Sequence, residues 1–384
     1  MSPVSSDPAT VLAALERWGA ERDWVGPDPY EGLSSALGRA ARGKRPRQLV
    51  VQAYKRLPVP PPWPLRARPR PNAKALALAL SGYATPAGRR LPGAAVHLEA
   101  IPARLEALRD GGAWGYPFDA QTRHLFYPDG SPNAIATCFA VGALLDAHRA
   151  GGDRRSLGLA LGARPFLLGL RHTAPGHGPF FAYVPSGSEL IHNANLLVCG
   201  ALARLHAVEP DPESERAVRE AAATTIAAQP ADGLWPYGEA PNLGWVDSFH
   251  TAYVLEGLMH LSAAFGIGAE ALERGLGAWR ERLIEPGGWA RYFPDAHHPL
   301  EAHSCASAID LLTDLAPGRA DGAELLAEAG EVAEVAIREL WLPRAGRFAF
   351  RRGARGLNRR AFMRWTNAPM FRALARLRSA AGSM

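Results

Sequence analysis

Two kinds of helical segment alternate along the chain, and they differ in how their apolar residues are distributed. Segments such as FAVGALLDAH and NLLVCGALARL are apolar on nearly every side, which is typical of helices buried all round. Segments such as SERAVREAAATTIAAQ place charged residues on one side and Ala, Val and Ile on the other. The alternation predicts an inner layer of buried helices and an outer layer of half-buried ones.

Each buried segment begins at a polar side chain, and these starts recur about every sixty residues, a period that indicates a repeat architecture. The starts are Asn72, Asn133, Asn193, Asp247, His303 and Asn367. The outer segments are expected at 44–57, 97–109, 153–170, 212–229, 267–284 and 321–341. Six helices of each kind predict an all-α fold, an (α/α)6 toroid, as a single domain over residues 1–384. Residues 1–60 would complete the ring or cap it.

The connections into the inner helices are long and rich in Gly and aromatic residues, whereas those into the outer helices are short. In such a ring all inner helices run the same way, so their N-termini open on one face. Long structured loops on one face usually carry function. The sequence therefore predicts one polar, aromatic-rich cavity at that face, surrounded by short β-hairpin-like loops.

Composition does little to identify the class of protein, but it helps to predict the cellular compartment. Apolar residues make up 47% of the 384 residues, enough for a large core. The three cysteines, Cys138, Cys199 and Cys305, each lie in an apolar helical run and are expected to be buried thiols. We find neither a signal peptide nor an apolar run long enough to span a bilayer, so a cytoplasmic protein is expected.

The net charge of +6 is concentrated in two stretches without acidic residues. Residues 39–70 contain ten Lys and Arg, and residues 344–364 contain eight Arg. Such runs attract nucleic acid, anionic glycan or a phosphate-rich membrane surface, or they are simply a solvated face. Nucleic acid is the weakest of these partners, because neither stretch contains a recognisable recognition helix or RNA module.

Candidate catalytic residues lie at two inner-helix starts and in one loop. Asp247 and His250 are three residues apart and share a helical face, and His303 opens a later inner helix. Tyr237 and Glu239 lie in the preceding WPYGE loop. Imidazole, phenol and carboxyl groups are the side chains that general acid–base catalysis uses.

Candidate substrate-binding residues combine flat aromatic rings, which suit sugar faces, with polar tips. Parallel helix N-termini also favour an anionic group at the mouth, such as a uronate carboxylate. The Asn residues have an alternative role as helix N-caps. The set is Trp114, Tyr116, Asp119, Arg123, Asn133, Tyr183, His192, Asn193, Asn195, Trp235, Trp245, Arg291, Tyr292, Arg364, Trp365 and Asn367.

Three functions fit these residues. Tyr or His could remove the C5 proton of a uronate, as an epimerase or lyase does. Asp247 with Glu239 or Asp119 could serve an inverting glycoside hydrolase. A non-catalytic glycan-binding scaffold is the third. No cofactor and no metal are expected: DAHHPLEAHSC (295–305) contains potential ligands without the HExxH spacing, and GRAARGKR (38–45) departs from a phosphate loop.

Several segments resemble VpsJ-like proteins of bacterial exopolysaccharide biosynthesis, from about Trp24 to Leu377. The segments are VGPDPYEGLSS (25–35), PNAKALALALSGY (71–83), WGYPFDAQTR (114–123), SPNAIATCF (131–139), HNANLL (192–197), DGLWPYGE (232–239), WVDSFHTAYVLE (245–256), EAHSCASAI (301–309) and RWTNAPM (364–370). The chain departs from that family at Ala120, where a second Trp is usual, and at Glu301, where Asp is usual.

The resemblance implies a toroid related in shape to uronyl epimerases, unsaturated-glucuronyl hydrolases and terpenoid-cyclase-like rings. It also implies a place in polysaccharide assembly, with polysaccharide-synthesis enzymes as partners. The acidic glycan or lipid-linked oligosaccharide expected as substrate is predicted by the Asn, His, Tyr and Arg residues at a cationic mouth. The family's reaction does not follow from its shape.

Overall fold

A computed structural model describes residues 7–121 and 126–382. Helices dominate these residues, and strands are short. The α-helices are α1 Pro8–Ala20, α2 Ala36–Ala40, α3 Lys44–Arg56, α4 Ala73–Ala84, α5 Ala94–Ala107, α6 Ala134–Gly151, α7 Arg154–Leu161, α8 Arg164–Gly169, α9 His192–His206, α10 Pro212–Ala227, α11 Ser248–Phe265, α12 Ala269–Leu283, α13 Ala302–Leu315, α14 Gly322–Leu340 and α15 Ala368–Ala381.

Six helices form a closed inner ring. Helices α4, α6, α9, α11, α13 and α15 each contact the next, and α15 contacts α4. Apolar side chains of all six are buried in one continuous core. Each begins within a few residues of a predicted polar start, so the predicted (α/α)6 toroid is confirmed.

The outer layer differs from the prediction in one helix. Helices α5, α7, α10, α12 and α14 pack on successive inner helices, as expected, and α1 packs on α15 in the sixth place. We predicted residues 44–57 for that place. The corresponding helix α3 instead contacts the 3₁₀ helix Glu31–Ser34, because its small apolar stripe of Val50, Val51 and Tyr54 suits a local cap. In contrast, α1 presents a longer buried face that includes Leu12, Leu15 and Trp18.

Short antiparallel strands lie in the connections that lead into the inner helices, as the sequence predicts. The largest sheet has the order β11-β10-β7-β6-β5, and three further sheets pair β1 with β2, β3 with β4, and β8 with β9. The strands are β1 Ala120–Gln121, β2 Phe126–Tyr127, β3 Arg171–Thr173, β4 Pro179–Phe181, β5 Ile284–Glu285, β6 Trp289–Phe293, β7 Ala296–Glu301, β8 Trp341–Leu342, β9 Arg347–Phe348, β10 Arg351–Gly353 and β11 Gly356–Asn358.

Polar caps fix where several inner helices start. The side chains of Asn72, Asn133 and Asp247 accept backbone N–H bonds at the starts of α4, α6 and α11. Such caps satisfy donors that the first helical turn would otherwise leave unpaired. All three cysteine thiols are buried and free. Among the described residues, no helix is both long and apolar enough to cross a membrane.

Candidate active site

An Asp–His pair stands at the start of α11. His250 Nδ1 lies 2.7 Å from Asp247 Oδ2, and Trp245 Nε1 donates to the same oxygen at 3.1 Å. Because a carboxylate only accepts, the neutral imidazole carries its proton on Nδ1 and leaves Nε2 as the acceptor. The Asp247 side chain is 1% exposed and that of His250 is 23% exposed. The pair therefore presents an oriented imidazole to the mouth, which is the arrangement a general base requires.

Aromatic rings hold His250 from both sides. Tyr237 stacks on Trp245 with ring centroids 4.6 Å apart, and it also lies 4.5 Å from the His250 ring. Phe249 contacts the imidazole at 3.9 Å. These contacts leave the His250 ring little rotational freedom. The structure therefore brings together Tyr237, Trp245, Asp247 and His250, four of the residues named from the sequence, and their role in catalysis or binding stays a prediction.

A buried chain of hydrogen bonds runs beneath this pair. Lys74 Nζ donates to the Tyr253 hydroxyl at 3.4 Å, and that hydroxyl lies 2.9 Å from His303 Nε2. His303 Nδ1 lies 3.1 Å from the Trp365 carbonyl, so Nδ1 donates and Nε2 accepts from Tyr253. Burial, reinforced by nearby cations, holds the pKa values of both Lys74 and His303 well below their ordinary values. Burial therefore disfavours the charged forms of both side chains, and His303 contacts Tyr253 rather than the surface.

A carboxyl group with a raised pKa lies between the strands and the last inner helix. Glu301 accepts from Trp365 Nε1 at 2.6 Å, and its second oxygen has no hydrogen-bond partner among the described residues. Burial raises the pKa of Glu301, although attraction to Lys55 opposes the shift. Lys55 donates to the Tyr30 hydroxyl at 2.9 Å and lies 5.2 Å from the Trp365 ring. An acid and a cation therefore share the same side of the mouth.

Arg364 is held by a buried partner. Its guanidinium makes two hydrogen bonds to Asp28, and both side chains are 4% exposed. It also lies 4.6 Å over the Tyr116 ring. Attraction to Asp28 raises the pKa of Arg364 in spite of burial, which disfavours its charged form. Because Asp28 already neutralises Arg364, this guanidinium offers no free charge to a substrate carboxylate, and its predicted role in substrate binding stays a prediction.

The segment that carries Arg364 and Trp365 is a π-helical turn, Met363–Asn367, immediately before α15. Such turns often occur at functional sites, because the extra residue in the turn redirects side chains. Within this turn, Arg364 donates to Asp28, and the Trp365 ring stacks on that of His303 with centroids 4.6 Å apart. The turn thus joins the N-terminal segment to the buried hydrogen-bond chain.

Tyrosine hydroxyls surround the mouth. The Tyr116 and Tyr183 hydroxyls are hydrogen-bonded to each other, and the Tyr127 and Tyr183 rings are 5.4 Å apart. Burial raises the pKa values of four of them, Tyr116, Tyr183, Tyr237 and Tyr292, so these hydroxyls stay protonated. The half-buried members of the group are Tyr30, Tyr116, Tyr127, Tyr183, Tyr237 and Tyr292. Neutral hydroxyls that both donate and accept are well suited to a polyhydroxylated ligand.

Two tryptophans predicted as stacking platforms serve the core instead. Trp114 is fully buried and donates to the Leu105 carbonyl at 2.7 Å. Trp235 is 2% exposed and donates to the Thr225 carbonyl at 2.8 Å. Neither ring offers a face to a ligand, so these two site predictions are wrong.

The predicted asparagines are mostly structural. Asn133 caps α6, Asn195 bonds to the Phe181 N–H and the Ala221 carbonyl, and Asn367 bonds to the Phe348 N–H and the Phe362 carbonyl. Their side chains are thus committed to backbone groups. Asn193 is the exception, because its buried Oδ1 has no hydrogen-bond partner among the described residues.

The remaining predicted residues lie apart from the Asp–His pair. His192 is fully buried and bonds to Thr225 and to Glu239, whose carboxylate lies 2.7 Å from Nε2. Asp119 accepts from the Asp129 N–H in its own loop. Arg291 pairs with Glu285 on the neighbouring strand and also donates to the Pro294 carbonyl. Arg123 lies outside the described residues.

Five residues at the mouth were missed: Tyr30, Lys55, Lys74, Tyr253 and Glu301. A usable signal existed for Lys74 and Tyr253. Lys74 is the only charged residue in the apolar segment 71–83, and lysine is almost never fully buried without a reason. Tyr253 follows His250 by three residues and so shares its helical face. Glu301 lies two residues before the predicted His303, whereas Tyr30 and Lys55 reach the mouth from a distant part of the chain and no local pattern indicates this.

The opposite end of the ring contains a second recess of about 460 Å³. Asp146, Arg204, Asp314 and Arg376 line it with a network of ion pairs. Phe139 lies between the two ends, because it contacts Lys74 at 3.9 Å and lines a smaller cavity that shares Asp146, Arg204 and Arg376 with the recess. The recess lies where inner helices end, whereas the sequence prediction placed its cavity where they begin.

The fold assigns the chain to the (α/α)6 toroids. No protein-family model and no curated protein matches the sequence. The resemblance to VpsJ-like proteins therefore remains a prediction.

Solved structures do resemble this one in fold. An unsaturated glucuronyl hydrolase specific for heparin superposes with a TM-score of 0.63 at 13% identity, covering 98% of this chain and 97% of that chain. Cellobiose 2-epimerase from Spirochaeta thermophila gives 0.58 at 15%, covering 81% and 86%. The α-mannanase BT2949 of Bacteroides thetaiotaomicron gives 0.60 at 14%, again covering 81% and 86%. At these identities the likeness extends to the fold alone.

Proposed function

We propose that this protein is a carbohydrate-active enzyme that uses His250 as its proton-transfer group. The observation that carries the proposal is the pairing of a buried Asp247 with a half-exposed His250 whose Nε2 is left as an acceptor. A general base needs this combination of fixed tautomer and access. The surrounding hydroxyls would bind the sugar.

The substrate class we propose is an acidic, uronate-containing glycan. The N-termini of six inner helices converge on the mouth and favour an anion there. Lys55 and Arg351 add positive charge, since both lower the pKa of Glu301 through their charge. Likeness in fold to a glucuronyl hydrolase and a sugar epimerase is consistent with a glycan substrate but does not identify it.

The reaction we propose begins when His250 Nε2 removes the C5 proton of a uronate, leaving the electron pair delocalised into the adjacent carboxyl group. Return of a proton from a tyrosine hydroxyl on the other face would invert C5, as in an epimerase. Expulsion of the C4 substituent with its bonding electrons would instead leave a C4–C5 double bond, as in a lyase. Tyr237, whose ring lies 4.5 Å from that of His250, is on the same side as the base. It could protonate the C4 leaving group in the lyase reaction, whereas inversion would need another tyrosine hydroxyl of the mouth.

The biological setting remains part of the proposal. We propose a role in bacterial exopolysaccharide biosynthesis, in the cytoplasm, on a nascent or lipid-linked oligosaccharide and alongside polysaccharide-synthesis enzymes. The segments that resemble VpsJ-like proteins support this setting.

A glycoside hydrolase is the second candidate, and a specific observation favours it. Glu301 has a raised pKa and a free oxygen, as a general acid in such enzymes requires. The carboxyl groups that the sequence suggested fit less well. Both oxygens of Asp247 accept hydrogen bonds, and Glu239 is tied to His192.

The test is incubation of the purified protein with a panel of uronate-containing oligosaccharides in deuterated water. Deuterium at C5, seen by NMR, or ultraviolet absorbance from an unsaturated sugar would support the proposed reaction. His250→Gln should abolish either signal, and His297→Gln, an exposed histidine on the outer sheet, should retain it. Release of reducing ends without deuterium uptake would favour the hydrolase instead. Binding with no turnover would leave only the scaffold function and would overturn both enzyme proposals.

A further inference from the structure

The two arginine-rich stretches of the sequence meet beside the mouth. Asn358 Nδ2 donates to the Leu57 carbonyl at 3.3 Å, and Arg360 donates to the Tyr54 carbonyl. The Arg360 guanidinium also lies 4.3 Å over the Tyr54 ring. The end of α3 and the β10–β11 pair therefore form one continuous surface, although about three hundred residues separate them.

This basic surface consists of exposed cations that no acid neutralises. Helix α2 contacts both α3 and the 3₁₀ helix Trp63–Leu65, so the first stretch is compact. Over residues 7–121 and 126–382, these side chains make no ion pair. The members of the basic surface are Arg39, Arg42, Lys44, Arg45, Arg56, Arg66, Arg68, Arg355 and Arg359.

Large apolar side chains project from the same surface. Leu49 is 71% exposed, Val59 is 56% exposed and Trp63 is 75% exposed, and Leu37 is also exposed. These four are the majority of the large apolar side chains that are exposed in the described part of the chain. Isolated exposed apolar residues are ordinary, but a cluster of them among cations marks an interaction site.

We propose that the basic surface docks the protein on a membrane containing anionic lipids. Cations alone would serve an anionic glycan or a nucleic acid equally well. Exposed Leu, Val and Trp side chains gain little from such polar partners, whereas they gain free energy by entering the interface of a bilayer. Trp is suited to that depth, because its ring is apolar and its N–H is polar.

Docking through the basic surface also determines where the mouth lies relative to the membrane. Lys55 lies on the edge of α3 that faces Tyr30 and Trp365, while its neighbour Arg56 is exposed on the basic surface. Docking through α3 therefore brings the mouth to the lipid surface, where a lipid-linked saccharide would be met. The inference does not depend on the reaction proposed above, since membrane binding is measured without turnover.

Sedimentation of the full chain with vesicles tests the inference. Vesicles of phosphatidylcholine with added phosphatidylglycerol should bind the protein, pure phosphatidylcholine vesicles should bind it much less, and added salt should weaken binding. Arg42→Gln with Arg45→Gln removes two exposed cations and should weaken binding roughly 30-fold, since each cation near an anionic surface contributes a factor of about five. Leu49→Ser with Trp63→Ser should weaken it at least about tenfold.

Matched variants separate the basic surface from general charge and hydrophobicity. Arg154→Gln with Arg216→Gln lowers the net charge equally but alters exposed arginines on outer helices. Val96→Ser removes an apolar side chain that is 67% exposed on α5. Both should bind vesicles as the wild type does. The inference is overturned if anionic vesicles fail to bind, if the matched variants lose as much affinity, or if only heparin or DNA binds and Leu49 and Trp63 have no effect.

Discussion

Asp247 and His250 share one hydrogen bond of 2.7 Å between Oδ2 and Nδ1, and they share a helix start as well. The other carboxylate oxygen accepts from the His250 N–H at 3.0 Å and so caps α11. One side chain therefore fixes both the helix and the tautomer of the imidazole. Because the two oxygens have different partners, a substitution that keeps only one of them can separate the capping of α11 from the orientation of the imidazole.

Asp247→Asn should lower activity far more than stability, because the cap on α11 through Oδ1 is kept while the bonds that Oδ2 accepts from Trp245 and His250 are lost. Asparagine caps a helix about as well as aspartate, but its amide favours the wrong imidazole tautomer. We expect kcat/KM in the deuterium-exchange assay to fall about 10²–10⁴-fold, the usual contribution of a positioned acid or base. Thermal unfolding should shift by no more than a few degrees.

Asp211→Asn is the matched control. Asp211 caps α10 by accepting from the Ser214 N–H at 3.0 Å, and it lies in the outer layer. Its replacement should leave the activity intact. Full activity in Asp247→Asn would show that His250 does not depend on this carboxylate.

Lys74→Met should raise the free energy of unfolding of the protein and lower its activity. Burial lowers the pKa of Lys74 by disfavouring its charged form, so placing this amine in the core costs stability at neutral pH. Methionine removes that cost and suits the apolar contact with Phe139, so the free energy of unfolding should rise by ~0.5–2 kcal/mol. The gain should shrink as pH rises towards the ordinary pKa of lysine, because the unfolded chain then releases the proton as well.

Activity gives the second readout for Lys74. Loss of its bond to Tyr253 disturbs the hydroxyl that donates to His303, and we expect about a tenfold fall in kcat. Urea unfolding at pH 6 and pH 10 and the exchange assay measure the two effects. A variant that is less stable at pH 6, or one that is fully active, would contradict this account of Lys74.

The ring could be predicted from sequence because each inner helix carries its own signal. Asn72, Asn133 and Asp247 are local caps in front of apolar runs, and the pattern repeats. The misplacement of residues 44–57 has a physical cause. An amphipathic stripe shows that a helix is half-buried, but it does not show which surface covers it.

The site was less predictable than the ring, because the type of a residue does not show which way its side chain points. Trp114 and Trp245 both occur in aromatic loops, yet one plugs the core and the other supports Asp247. The Asp247–His250 pair was accessible to reasoning, because helical spacing puts both on one face. Tyr30 and Lys55 come from the N-terminal cap, and only the folded chain brings them to Trp365.

Glu31 should give the protein a measurable loss of stability as pH rises. Burial raises its pKa to about 7, against 4.5 ordinarily, and Tyr54 donates to it at 2.7 Å. Between these pH values the folded state holds a proton that the unfolded state has lost, so the free energy of unfolding falls by about 3 kcal/mol across the window.

Glu31→Gln should remove that part of the pH dependence, and Glu213→Gln, an exposed residue of α10, should preserve it. Chemical unfolding at several pH values from 4.5 to 8 makes the comparison. Equal slopes in the wild type and Glu31→Gln would mean that Glu31 is ionised in the folded protein.

Arg376 should be the most important cation for stability at the end opposite the mouth. It pairs with Asp314 and lies 3.4 Å from Asp146 and 3.7 Å from Asp310. Arg204 and Arg372 partner the last two carboxylates, but Asp314 has no other ion pair among the described residues. Arg376→Met therefore leaves a half-buried carboxylate, 28% exposed, uncompensated. The loss should cost somewhat less than about 3–5 kcal/mol, the range typical of breaking a fully buried pair.

The cost of Arg376→Met should depend on pH in a defined direction. Burial already raises the pKa values of Asp310 and Asp314, and without the cation they would take up protons more readily. The destabilisation should therefore be smaller at pH 5 than at pH 8, as measured by urea unfolding. Arg378→Met, two residues along the same helix and exposed, should change stability by less than about 0.5 kcal/mol. A similar effect of both substitutions would show that the ion-pair network contributes no more than an ordinary surface arginine.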